Sequence, residues 1–312
     1  MRNRLPAGCE ARFSPFLPAE LFYSTKSMNS HKLLTSLAAL LGLAFATELS
    51  AQGPRIDFPA ASPACTIKQR VGLTDFTVDY SRPGKKGRPI FGGLVPYGDV
   101  WRTGANTATK ITFNTPVKVN GTEVPAGSYA LFTIPGETEW TIILNKGVGQ
   151  WGSFQYDAKG DVVRVKATPM KWDEHLETFT IEFNEIRDES AILNLVWDDT
   201  VVPIRLEVDV ASKLVPQIEA AMAAPGNQKP YYQAALFYYD HGLDLQKAKQ
   251  WVDAAVAQRE AHYIVNLQAR ILAKLGDKAG AIAAAKKSTE LAIKANDKGY
   301  VKLNQDLIDS LQ

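Results

Sequence analysis

The sequence predicts a mainly β protein with an α-helical end: an antiparallel β-sandwich, jelly-roll-like, over about residues 58–210, then a shorter helical domain over 212–312. Three observations predict it. From Cys65 to Val208, apolar and polar residues alternate in short runs, the period that places successive side chains on opposite faces of a strand. Turn formers separate those runs at roughly 8–12 residue intervals, the spacing of sandwiches and, alternatively, closed barrels. From Ala211 onward Ala, Leu, Lys and Gln dominate and the period becomes helical.

The N-terminal segment 28–51 reads as a secretory signal peptide. Lys32 and His31 supply a basic start, Leu33–Ala46 an apolar run, and Leu49-Ser50-Ala51 a small-residue cleavage site before Gln52. The run falls short of the about 20 residues a membrane-crossing helix needs, so no membrane span is expected in the mature chain. Residues 1–27 lack an apolar period, which suggests that they are a mis-assigned start and that Met28 begins the protein. The folded body is therefore expected to be secreted or periplasmic. ATP and NAD are scarce there, and no cofactor is expected. A net charge of +2 over 312 residues argues against nucleic acid as a partner. Of the two cysteines, Cys9 precedes the cleavage site. Cys65 alone offers neither an internal disulfide nor a thiolate zinc site.

Within the β region, Phe76, Val78 and Tyr80 alternate with Thr77 and Asp79, and Ile111 and Phe113 flank Thr112. Asn120-Gly121 is a strong two-residue hairpin signal, because both positions tolerate positive φ. The runs 129–134 (YALFTI) and 140–145 (WTIILN) are apolar on both faces. They are expected to be central strands, covered by the second sheet and by the long 82–106 loop. Lys159-Gly160 and Asp198-Asp199 read as further turns. Phe179, Ile181 and Phe183 form one more alternating strand, and Ile204, Leu206 and Val208 another.

The end of the chain reads as tetratricopeptide-like. Ala248 and Ala281 lie 33 residues apart, close to the 34-residue period of that repeat. Gly242-Leu243-Asp244 and Leu275-Gly276-Asp277 resemble its inter-helix turns. A peptide or partner protein is expected on the concave face. A plain antiparallel helical bundle is the alternative.

Residues about 58–210 resemble the family of secreted bacterial proteins known as domain of unknown function 2911. The motifs that carry the resemblance are SPACTIKQRVGLTDFTVDYSRPGKKGRPIFGGLVPYGDVWRTGANTATKITF from Ser62, PAGSYALFTIPGETEWTIILNK from Pro125, and QWGSFQY from Gln150. The resemblance implies a β domain outside the cytoplasm. It implies no activity.

The stretch 79–106 carries the main candidate site. Arg82, Lys85, Lys86, Arg88 and Arg102 fall within 21 residues, with Asp99 the local acid. Guanidinium forks suit carboxylate, sulfate or phosphate, Trp101 and Tyr97 offer stacking surfaces, and Asn106 suits a ligand hydroxyl or a backbone cap. Arg82, Arg88, Trp101, Arg102 and Asn106 are therefore the expected ligand-binding residues, for a polysaccharide or small anionic ligand. The competing reading makes Phe91, Leu94, Val95, Val100 and Trp101 a plug for one end of the sandwich. A second candidate is Gln150–Tyr156, where aromatics interleave with amides as on a carbohydrate platform.

No catalytic motif is present. His175, among Asp173, Glu174 and Glu177, reads as part of a solvated loop. A non-catalytic binding or scaffold module is the expected function. The alternative is a hydrolase acting on envelope or extracellular polymers, with paired carboxylates such as Glu182 and Glu207.

Overall fold

A computed structural model describes residues 56–226 and 228–312. The expected start at Met28 and the signal peptide 28–51 lie outside the described residues. The chain divides into Met1–Pro59 and Ala60–Gln312, and the strands and helices of the described residues all belong to the second unit.

Ten strands form two antiparallel sheets. The six-stranded sheet runs in the order β1 (Ala64–Val71), β2 (Thr74–Ser81), β3 (Lys110–Phe113), β6 (Gly127–Ile134), β7 (Trp140–Asn145), β8 (Asp161–Ala167). The four-stranded sheet runs β5 (Thr122–Val124), β4 (Val117–Val119), β10 (Ser190–Val208), β9 (Met170–Asn184). Six of the nine connections between these strands join neighbours within a sheet, and three, β3–β4, β5–β6 and β8–β9, cross from one sheet to the other. The Asn120-Gly121 turn joins β4 to β5, with both residues at positive φ.

Inward-facing residues of both sheets make one core. Phe76, Val78, Ile111 and Phe113 from the first sheet meet Phe179, Ile181, Leu193 and Leu206 from the second. Tyr80 ties the layers together: its hydroxyl accepts from the Ile181 amide at 3.1 Å. Strands β6 and β7 are central, and their outer face is covered too. Ala130, Phe132 and Ile143 pack there with Ala108, Val100 and Tyr156. The cover thus comes from Val100, within the expected 82–106 loop, and also from Ala108 just beyond it and the turn before β8.

Two local expectations change. Asp198-Asp199 is no turn: β10 continues through it for 19 residues. Asp198 instead adopts φ 55° where the pairing with β9 shifts register on both sides, a bulge that re-aims its carboxylate. His175 lies on the 15-residue strand β9 rather than in a loop.

Six helices follow: α1 (Ala211–Ala223), α2 (Tyr231–Asp240), α3 (Leu245–Gln258), α4 (His262–Lys274), α5 (Lys278–Lys294) and α6 (Lys298–Leu311). Two turns repeat one device. Gly242 and Gly276 take positive φ, which a residue without Cβ adopts freely, and Asp244 and Asp277 then accept from the first-turn amides of α3 and α5. Asn296 and Asp297 repeat the device before α6. The helices are continuous with the sandwich, because Leu214 and Phe237 pack on the β core and Glu189 accepts from the Val210 and Ala211 amides. Among the described residues no helix is long and apolar enough to cross a membrane.

Candidate ligand groove

The five residues expected to bind a ligand do not meet at one hollow. Trp101 is 7 % exposed. Its ring packs edge-on to Phe91, Trp140 and Phe179 and stacks on Trp197 at 6.0 Å, and its indole N–H donates to Gly104 O at 3.1 Å. It is the plug at the end of the sandwich and no stacking surface. An indole that fills an apolar space and finds one acceptor is well placed for burial.

Arg82 is occupied in the same way. Its Nε donates to Phe179 O at 3.2 Å and Nη2 to Thr180 Oγ1 at 2.7 Å, which staples the loop to β9. Arg88 folds back on its own loop, donating to Lys85 O at 3.0 Å and Gly84 O at 2.6 Å. Lys85 and His175 share one oxygen of Asp198, each at 2.5 Å. Burial pushes the Asp198 carboxyl up, but the hydrogen bonds and charges of Lys85 and His175 outweigh it and hold the group below the usual carboxylate range. These groups are a clasp between loop and strand. Among the described residues no three His, Cys, Asp or Glu side chains gather as a metal site.

Asn106 and Arg102 lie elsewhere, toward the outer face of the six-stranded sheet. Asn106 takes φ 58°, and its amide donates to Ser62 O and Ser81 Oγ at 3.3 Å each. Trp101 bridges to Thr133 as extended chain, so Arg102 projects opposite to the buried indole. Its Nε has no hydrogen-bond partner although it is shut off from solvent. Burial lowers its pKa, and nothing opposes that effect.

On this outer face lies a groove of about 340 Å³, lined by Thr66, Asp79, Ser81, Thr107, Lys110 and Val148 among others. Register builds its floor. Thr66 faces Asp79 across β1 and β2, and Asp79 faces Lys110 across β2 and β3. The Thr66 hydroxyl donates to Asp79 at 2.6 Å and Lys110 Nζ reaches it at 2.8 Å. Burial raises the Asp79 carboxyl, yet these partners prevail and keep it below its ordinary value. Ala108 is small and leaves the space open.

Val148 and Gly149, from the turn Gly147–Tyr156, form one wall of the groove. The turn's backbone docks on the 106–108 segment: Gly152 N donates to Asn106 O and Ala108 N to Gln150 O, and Trp151 bridges to Thr107. Asn145, 2 % exposed, holds its base by donating to Asp157 O at 2.9 Å and Asp161 Oδ1 at 2.7 Å while accepting from Gly147 N. A Cβ on Gly160 would come within 2.9 Å of that side chain, so the close approach requires glycine. The Tyr156 hydroxyl donates to Asp161 Oδ2 at 2.7 Å, and its ring packs on Phe132. On this pinned turn Trp151 is 65 % and Phe154 87 % exposed.

Sequence reading found the turn and missed the floor. Thr66, Asp79 and Lys110 look like ordinary solvent-side strand residues until pairing aligns them. Two larger hollows, of about 570 and 580 Å³, lie beside α1 and α2. Their charged linings include Glu207, paired with Arg205, and His241, facing Asp188 and Glu189.

No curated protein and no solved structure matches the chain. Residues 62–206 match the family model described as Protein of unknown function (DUF2911). The 82–106 loop, the groove and the aromatic turn all fall within that span, and it is the β region of this chain that matches the DUF2911 family model.

Proposed function

We propose that the protein is a non-catalytic binding module acting outside the cytoplasm, and that the groove takes a polyhydroxylated ligand such as a sugar chain. The carrying observation is the exposure of Trp151 and Phe154 on a turn that backbone bonds and Asn145 hold rigid. Exposed aromatics on a pre-organised frame supply a flat apolar contact at low entropic cost. The polar floor complements it, since the Asp79 carboxylate accepts from hydroxyls and Ser81, Thr66 and Lys110 extend the same row. The groove's size suits a small ligand, at the lower end of the roughly 300–1,000 Å³ of such clefts.

The hydrolase reading has less support. Asp79 is the one carboxylate among the groove's lining residues, whereas glycoside hydrolysis ordinarily uses two facing acids. Glu182 accepts from Asn184 and Glu207 pairs with Arg205, on strand positions that point away from the core.

The test is affinity electrophoresis of wild type and Trp151→Ala in gels cast with envelope and extracellular glycans. Wild type should be retarded by at least one glycan, and the variant should lose on the order of tenfold in affinity, about 1.4 kcal/mol. Equal mobility of the two proteins in every glycan would reject the groove. Intact mass of the exported protein checks the compartment, with Gln52 the expected first residue.

A second reading concerns the helices, taken as a tetratricopeptide-like dock for a peptide. The repeated Gly–Asp turns favour it, as does the placement of Arg270 and Lys274 at 4.5 and 4.3 Å over the Tyr239 ring. A photo-crosslinker in place of Tyr239 should capture one partner in cells. Capture unchanged by reversing both cations would count against that face.

A further inference from the structure

We infer that the ligand of this groove carries an anionic group, a carboxylate on an acidic sugar chain, and that Arg102 receives it; the inference rests on reading the groove as a binding site.

Only two buried side-chain polar atoms lack a hydrogen-bond partner among the described residues: Arg102 Nε and Gln150 Oε1. Both belong to segments anchored on one short stretch of backbone. Thr109 N donates to Arg102 O at 3.1 Å, and Ala108 N donates to Gln150 O at 3.0 Å. Thr107, Ala108 and Lys110 line the groove. The two orphans therefore lie on segments bonded to the backbone that lines the groove, although neither side chain is itself among the lining residues.

Arg102 contrasts with most of the loop's other cations; Lys86 is exposed to solvent. Arg82, Lys85 and Arg88 donate to the protein, and Lys110 pairs with Asp79. Arg102 is half-buried with neither carboxylate nor carbonyl at its fork, and burial disfavours its charge with nothing to compensate. Its Nε is withdrawn from water without a partner, which costs the fold. Evolved folds tolerate such groups where function uses them. An anion arriving from solution would supply the missing counter-charge, and a carboxylate matches the paired Nη donors of the fork. Trp151 would hold a ring of the same chain. Lys110 cannot take the anion as readily, because Asp79 already neutralises it.

The experiment uses the full-length exported protein as wild type, Arg102→Met, Arg102→Lys and Trp151→Ala. Each is titrated calorimetrically with a polygalacturonate oligosaccharide and with its methyl ester, which has the same sugar chain but carries a methyl group in place of each carboxylate charge. Wild type should prefer the acid by on the order of tenfold or more, a preference that weakens with salt. Arg102→Met should abolish the preference, bringing acid binding down to the level of the ester. Arg102→Lys should restore part of it, a point charge without the fork. Trp151→Ala should weaken both ligands alike. Without ligand, Arg102→Met should melt at the same temperature as wild type or higher.

Equal binding of acid and ester by wild type overturns the inference and leaves the groove reading standing. So does an acid preference that survives in Arg102→Met. A marked fall in the melting temperature of Arg102→Met would give Arg102 a structural role and overturn it independently of any ligand. If Trp151→Ala binds both ligands like wild type while Arg102→Met loses the preference, the groove reading fails and the anion site stands. Wild type that binds neither ligand overturns the inference.

Discussion

The Asn145 side-chain amide meets Asp161 Oδ1 at 2.7 Å beneath the turn that carries Trp151. One neutral side chain thereby satisfies a carboxylate, the Asp157 carbonyl and the Gly147 amide at once. Removing it leaves buried groups without partners, which costs about 1–3 kcal/mol. Asn145→Ala should therefore lower stability by that amount in urea unfolding. It should also speed hydrogen exchange across 147–156 and weaken glycan binding although Trp151 is intact. Unchanged exchange in the turn would show that Asn145 does not hold it.

Arg82 should matter for the fold and not for the ligand. Arg82→Ala strips donors from Phe179 O and Thr180 Oγ1, and a loss of about 1–3 kcal/mol is expected. Glycan retardation in the gel should equal that of wild type. A binding defect in a variant of normal stability would return the recognition role to the loop.

Trp101→Ala opens a cavity among Phe91, Trp140, Phe179 and Trp197. Large aromatic truncations in a core cost about 3–5 kcal/mol. Chemical denaturation followed by tryptophan fluorescence should show this. A loss below 1 kcal/mol, by about the measure of a surface substitution, would contradict its place in the plug.

Two groups give pH dependence of opposite sign. The Asp198 carboxyl is held below its ordinary 3.8 in the folded state. Its contribution is present above that value and is lost as pH falls through the lower folded one. Asp198→Asn keeps a residue tolerant of positive φ and should be less stable than wild type at neutral pH, with the gap closing below pH 3.8. Burial and the Asp161 hydrogen bond push the Tyr156 hydroxyl up from 10.0 to about 12. Its contribution is full below pH 10.0 and lost as pH rises through about 12. In ultraviolet titration, Tyr156→Phe should delete one late-ionising tyrosine. Loss of a tyrosine ionising near its ordinary value instead would place the hydroxyl in open solvent.

In the helical end, Asn304 links a buried polar chain. It accepts from Asn266 at 2.8 Å and donates to Ser288 Oγ at 2.9 Å, and Ser288 donates to His262 O. Asn304→Ala strands Asn266 and should lower the unfolding free energy by about 1–3 kcal/mol. Removing both amides, as Asn266→Leu with Asn304→Leu, should be less damaging than the sum of the single losses. Strict additivity would argue against a connected network.

Local pattern alone determined the class of this protein. Strand alternation from Phe76 to Val208, the Asn120-Gly121 hairpin and the Gly242 and Gly276 helix turns depend on backbone preferences that neighbouring residues set. The double-sided apolar runs of β6 and β7 likewise announced central strands, because burial on both faces leaves no polar position. Tertiary structure decided the rest. Trp101 and Trp151 are the same residue type in similar Gly-rich company, yet one seals the core and the other stands in solvent. Which does which depends on the space left between the sheets, and no local pattern encodes that space. The Thr66–Asp79–Lys110 row comes from strands far apart in sequence and exists only once register aligns them. Arg82 and Arg102 carry identical groups. Only the packed fold reveals that β9 satisfies the first and that nothing satisfies the second.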